Sequence, residues 1–181
     1  MYTKFSESAK KLKETRVLCL SAIMAAVFIV LYAFKLQLAP ELRITFTFLP
    51  LALAGWLLGP VPAMLVGLVG DLIGCMLFPA GPYFPGFTLT QVLSGLIFGL
   101  FLYRKGAERI FFPVLLSKIS ISIFLNVFLN ALWLSMLYGK AWKIYAASHL
   151  FKNLLAFPVE LVLLFLIIKL LHTRGIQKMY K

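Results

Sequence analysis

Apolar runs alternate along this chain with short breaks of charge, proline and glycine. A helix needs about 20 residues to cross a bilayer, and most of the runs approach that length. The pattern predicts six helices, over 17–34, 46–58, 63–78, 88–103, 114–137 and 148–171. Residues 1–16 are polar and basic and suit either a short amphipathic helix on a membrane surface or a disordered tail. Residues 36–50 are too polar, and too interrupted by Pro40, to span, and read as a loop. Gly59-Pro60-Val61-Pro62 predicts a tight turn, and 79–87 a rigid, uncharged loop of proline, glycine and aromatics. The fold class that follows is all-α, a polytopic membrane protein with six transmembrane helices. Its domains are a basic N-terminal segment (1–16), one transmembrane domain (17–172) and a basic tail (173–181).

Polar residues inside apolar runs mark where chemistry belongs, because amides and charges at membrane depth are costly without partners. The run 114–137 carries Lys118, Asn126, Asn130 and Trp133. Asn126 and Asn130 are four apart and Trp133 follows three later, so one helical face gathers two amides and an indole. The bland reading is helix–helix glue; the functional one is a wall of a pocket for a polar small molecule. Lys152, Asn153 and Glu160 lie in the last run, and Thr88, Thr90, Gln91 and Ser94 crowd the start of the fourth. Thr88 is also read as a helix cap. Asp71 stands in the middle of the third run, where an internal ion pair with Lys118 is expected. Tyr83 and Phe84 fit an interfacial aromatic belt or a stacking lid. Arg43 pairs with Glu41, caps the pocket or snorkels. Ala22 and Ala26 form a small-x-x-x-small pair that lets another backbone approach closely.

Composition agrees with the pattern. The chain is 62% hydrophobic and 13% charged, whereas soluble domains are about 25% charged. The net charge of +12 does not indicate nucleic acid, because the basic residues sit at the ends of apolar runs. Twelve of them fall in the two termini and the 104–109 connection, against four in the opposite loops, which places both termini in the cytoplasm. In that orientation the polar residues of three helices converge in the outer half of the membrane. The N-terminal run is full-length and has no small-residue cleavage site, so no signal peptide is expected. Cys19 and Cys75 read as small buried hydrophobes. No phosphate loop, zinc motif or Cys/His cluster is present, so neither a resident ATPase, a metal nor a cofactor is expected. His149 reads as an interface residue and His172 as solvated. Asp71 and Glu160 leave open a proton- or ion-coupled carrier.

Three stretches carry a resemblance: LRITFTFLPLALAGWLLGPVPAMLVGLVGDLIG (42–74), PYFPGFTLTQVLSGLIFGLFLY (82–103) and NVFLNALWLSMLYGKA (126–141). With the Ala-x-x-x-Ala of the first helix, the chain resembles a substrate-binding S component of an energy-coupling factor (ECF) vitamin transporter, most like the folate-specific members. The resemblance implies a multi-pass protein of a prokaryotic cell membrane. It implies a vitamin held in an outward-facing pocket under two loops. It also implies docking through Ala22 and Ala26 on a transmembrane scaffold that joins two cytoplasmic ATPases. A pterin offers donors and acceptors on one edge and a flat ring for stacking, and the glutamate tail carries carboxylates. The pocket expected from this is Arg43, Tyr83, Phe84, Gln91, Asn126, Asn130, Trp133, Lys152 and Asn153, with Lys140 as a further partner for the tail. The competing readings are an S component for another vitamin, an autonomous carrier using Asp71 and Glu160, and a membrane enzyme.

Overall fold

A computed structural model describes residues 2–34, 36–39, 42–79, 81–106, 110–139 and 141–173. The elements are α1 (Tyr2–Lys11), α2 (Thr15–Ala33), β1 (Leu36–Ala39), β2 (Leu42–Ile44), α3 (Phe48–Leu57), α4 (Pro60–Leu77) and α5 (Pro85–Leu102), then α6 (Phe111–Ser120), a π-helical segment (Ile121–Leu129), α7 (Asn130–Tyr138) and α8 (Trp142–Thr173). The fold is all-helical apart from one small hairpin. Among the described residues five helices are long and apolar enough to span a membrane: α2, α4, α5, the continuous 111–138 rod and α8. The expected second span is different. As α3 it has 10 residues and is about 15 Å long, half a bilayer.

Residues expected as a plain loop form the antiparallel hairpin, with Leu36 opposite Ile44 and Gln37 opposite Arg43. The alternation of Leu36, Gln37, Leu38 and of Leu42, Arg43, Ile44 is the period-2 signal of a strand. Helix ends move for identifiable reasons. Pro60 and Pro85 each occupy a first-turn position, where a missing N–H costs nothing. α4 and α5 therefore start three residues earlier than expected. α8 starts six residues early, because Gly139 takes a left-handed conformation (φ 73°) and turns the chain at once.

The two halves pack differently. α3, α4 and α5 approach backbone to backbone. A Cβ at Gly99 would lie 2.3 Å from Pro60 Cα, and one at Gly95 would lie 2.5 Å from the Ala63 carbonyl oxygen. Trp56, Phe98, Leu102 and Ile110 fill the core beside them, with Phe28 from α2 also fully buried. The outward faces carry Leu18, Ile23, Val30, Phe124, Leu154 and Leu166, all exposed and apolar, as lipid contact requires. Cys19 is exposed and Cys75 half-exposed, so neither is the buried hydrophobe expected.

The N-terminal segment is an ordered helix seated on the protein. Ser8 is fully buried. Its Oγ accepts the Val61 N–H (3.1 Å) and approaches the Leu58 carbonyl (3.5 Å). It thereby caps α4 from another helix, satisfying a first-turn N–H that has no partner within α4. Gly59 makes the fit possible. It holds φ 102°, and a Cβ there would meet Ser8 Oγ at 2.8 Å. Glu7 pairs with Arg104 beyond α5 (2.9 Å).

Candidate functional site

A cavity of about 200 Å³ lies between the hairpin exit, α4, α5 and the 111–138 rod with α8. Helical periodicity explains its walls. α5 contributes Phe87, Thr90, Gln91, Ser94 and Phe98; α8 contributes His149, Lys152, Asn153 and Glu160. Both sets follow the three-and-four spacing of one helix face. The central rod differs, with Ile121 and Asn126 five apart, then Asn130 and Leu134 at steps of four. The wide turns of the π segment set that spacing. A smaller chamber of about 50 Å³ adjoins the cavity under the 81–84 loop and includes Tyr83, Phe84 and Cys75. Tyr32, Asp71, Phe87 and Leu134 border both.

Three amides form a relay across the cavity wall. Asn130 Nδ2 donates to Asn126 Oδ1 and Asn126 Nδ2 donates to Asn153 Oδ1, each at 3.3 Å. The ends of the relay are open. Asn130 Oδ1, Asn153 Nδ2 and, nearby, His149 Nε2 are buried with no hydrogen-bond partner among the described residues. Each such group costs about 1–3 kcal/mol when left unmade. Orphaned polar atoms on the lining of one cavity are what a site for a polar ligand looks like before the ligand arrives.

The hydroxyls around them are committed. Thr90 donates to the Gly86 carbonyl (3.0 Å) and Ser94 to the Thr90 carbonyl (2.8 Å). Thr88 donates to Asp71 Oδ2 at 2.7 Å. Its single hydrogen being spent there, the 3.1 Å contact between Tyr83 Oη and Thr88 Oγ1 has the tyrosine as donor. Thr88 is thus an anchor between the 81–84 loop and α4; the N-cap position belongs to Phe84. The ion partner found for Lys118 is Glu160, 42 residues on, and the Lys118 ammonium also lies 4.4 Å from the Phe48 ring centre. With side chains 4% and 19% exposed, this pair closes one wall of the cavity.

Of the residues expected at the site, Gln91, Asn126, Asn130, Lys152 and Asn153 line the main cavity, and Tyr83 and Phe84 line the adjoining chamber. Trp133 stands behind the wall. Its Nε1 donates to Thr90 Oγ1 (3.2 Å), its ring lies 5.6 Å from Phe84, and Gly86 leaves the space it fills. Leu134, four residues beyond Asn130 in α7, takes the lining place that a spacing of three assigned to Trp133. Arg43 lies in β2, its side chain outside the described ones, and Lys140 is also outside the described residues. Ala22 and Ala26 are exposed on the outer face of α2, while Ala25 is buried against the core. His149, expected at the interface, lines the cavity instead, because the early start of α8 places it two turns inside the helix. Tyr32, Thr45 and Thr47 were not expected at the site; the Thr-x-Thr alternation after β2 was the one sequence signal for the two threonines. Among the described residues no group of histidine, cysteine and acidic side chains could hold a metal.

Comparison with known proteins bears on the whole span of this architecture. A family model described as the substrate-specific component of ECF transporters matches residues 16–168. The folate transporter FolT of Clostridium novyi (strain NT) is 36% identical over 156 residues, covering 85% of this chain and 88% of its own. The folate transporter FolT of Leuconostoc mesenteroides is 30% identical over 152 residues, 81% of each chain. A crystal structure of FolT bound with folic acid superposes with a TM-score of 0.77 at 33% identity, over 84% of this chain and 92% of that one. The family match spans the helices that build the cavity, and the chain belongs to the substrate-specific components of the ECF transporters.

Proposed function

We propose that this chain is the folate-binding S component of an ATP-driven importer of a prokaryotic cell membrane. The observation that carries the reading is the cavity with its open relay, where Asn130 Oδ1, Asn153 Nδ2 and His149 Nε2 lack partners. The relatives are folate transporters, and they supply the vitamin. The cavity combines amides for a heterocycle edge, the aromatic chamber under the 81–84 loop for a flat ring and the Lys152 ammonium for carboxylates. Arg43 and Trp133 belong to the same proposal, Arg43 from the hairpin and Trp133 as a positioning residue behind Phe84. α3, with residues 45–47 leading into it, makes the sixth passage, and the hairpin caps its outer end. The termini are then cytoplasmic, and the cavity opens outward between the hairpin and the 81–84 loop. Energy comes from two ATPases reached through a transmembrane scaffold, on which Ala22 and Ala26 dock.

Tryptophan fluorescence of the detergent-purified chain, titrated with folate, riboflavin, thiamine and biotin, tests the ligand. Saturable quenching by folate alone is expected, through Trp133 and its contact with Phe84. A response only to another of these vitamins overturns the folate reading and keeps the S-component one. For docking, Ala22→Trp is expected to abolish uptake while binding by the isolated protein persists. Loss of binding in that variant would separate this stripe from the scaffold and place it in the fold.

A further inference from the structure

The π segment is the part of the cavity wall least able to hold its own shape. Ladders of i→i+5 hydrogen bonds are rare in proteins and mostly last a single turn, yet this one runs for nine residues, Ile121–Leu129. Its winding matters to the site. Asn126 lies inside it and Asn130 directly after it, and the hydrogen bond between them continues to Asn153. Rewound as an α-helix, the segment would turn Asn126 off the face it shares with Ile121, five residues earlier. Ile123, Phe124 and Phe128 are exposed, so packing does not fix the winding at those positions. A hydrogen bond from another helix does. Gly139, with φ 73°, turns the chain at the end of α7, and α8 opens on Trp142. The Trp142 Nε1 donates to the Phe128 carbonyl (3.3 Å), and the two rings meet edge to face at 5.7 Å. Trp142 also packs against the cluster of Ala131, Leu134 and Tyr145, of which Leu134 lines the cavity. An aromatic-belt tryptophan keeps its ring in the apolar layer and gives its N–H to water and headgroups. This one gives its N–H to main chain.

The geometry points to Trp142 as a positioning residue of the ligand site. It pins the backbone at Phe128, midway between Asn126 and Asn130, keeps the segment in its π winding and so holds both amides on the cavity. This rests on the folate reading above and deepens it. Trp142 is not among the residues that line the cavity or the adjoining chamber, so it acts through the main chain and not by touching the ligand. The N–H is the part of the side chain that the role requires. A belt residue would need only the ring.

The test uses the full-length chain in detergent, with folic acid binding read by calorimetry. Trp142→Phe keeps an aromatic ring and removes the N–H. It is expected to weaken folic acid by about 3–10-fold, the worth of one neutral hydrogen bond. In an Asn126→Ala background the same change is expected to alter affinity by less than about twofold, because the amide it positions is gone. No loss in the first case, or a loss of equal size in both, overturns the inference. A second measurement leaves Trp142 in place and does not depend on how its variant folds. With isotope-labelled tryptophan, the indole N–H resonance of Trp142 is expected to move when folic acid saturates the site, and to stay in place in the Asn126→Ala form. A resonance that is the same in the empty and loaded protein, or a shift that persists without Asn126, makes Trp142 a belt residue and overturns the inference. Failure of the unsubstituted protein to bind folic acid would instead defeat the folate reading, and with it this one.

Discussion

The two halves of the molecule solve the problem of packing inside a membrane in opposite ways. α3, α4 and α5 meet through glycines, with Pro60 against Gly99 and Ala63 against Gly95. Neither the 111–138 rod nor α8 contains a glycine; Gly139 lies just past the end of the rod. They are joined by polar side chains, through the amide relay and the Lys118–Glu160 pair. Van der Waals packing tolerates no solvent and leaves no gap. Polar pairing holds walls at side-chain distance and leaves room between them. The cavity exists because one half is built each way, with a rigid face on one side and an adjustable polar face on the other.

Four substitutions break or sharpen that contrast, and the first breaks the packed half outright. A side chain at Gly99 must displace backbone, so Gly99→Val is expected to cost more than about 3 kcal/mol, beyond the usual overpacking range. Size-exclusion of the detergent extract should show no monodisperse protein. In the polar half, Lys118→Met strands Glu160 and is expected to cost about 3–5 kcal/mol. Adding Glu160→Leu should restore most of the melting temperature, and no recovery would mean the pair is not the joint between these helices. Asn130→Ala removes one end of the relay and is expected to weaken folate binding by about 1–3 kcal/mol, with little change in melting temperature. Unchanged affinity would take Asn130 out of the site. The smallest effect belongs to Ser8→Ala, which frees the Val61 N–H at the edge of the packed half. It should lower stability by about 1 kcal/mol, read as a small shift in thermal melting with binding intact.

The sequence made the long spans legible, because lipid imposes a composition and a length that few other environments do. It also brought Gln91, Asn126, Asn130, Lys152 and Asn153 to one cavity, since polar residues in apolar helices have few places to go. What it hid were features set by distant partners or by winding. Glu160 was visible as a buried charge, but its pairing with Lys118 depends on how two helices align. Ser8 looks like any polar residue of a tail until Gly59 and Val61 are placed beside it. The π segment has no proline or glycine to announce it, and it puts Ile121 and Asn126, five apart, on the same lining face. The hairpin was masked by a polar loop too short for its alternation to dominate.

The seat of Ser8 has a consequence for biogenesis. Its two backbone partners lie 50 and 53 residues downstream. α1 is made before them, and this seat can close only once the turn before α4 has been made. Long sequence separation delays contact formation, so the seat of α1 closes only after α2 and α3 have been made. Its closure marks the correct meeting of α3 and α4, and a chain whose early passages insert in the wrong order would leave its N-terminus undocked and open to proteases.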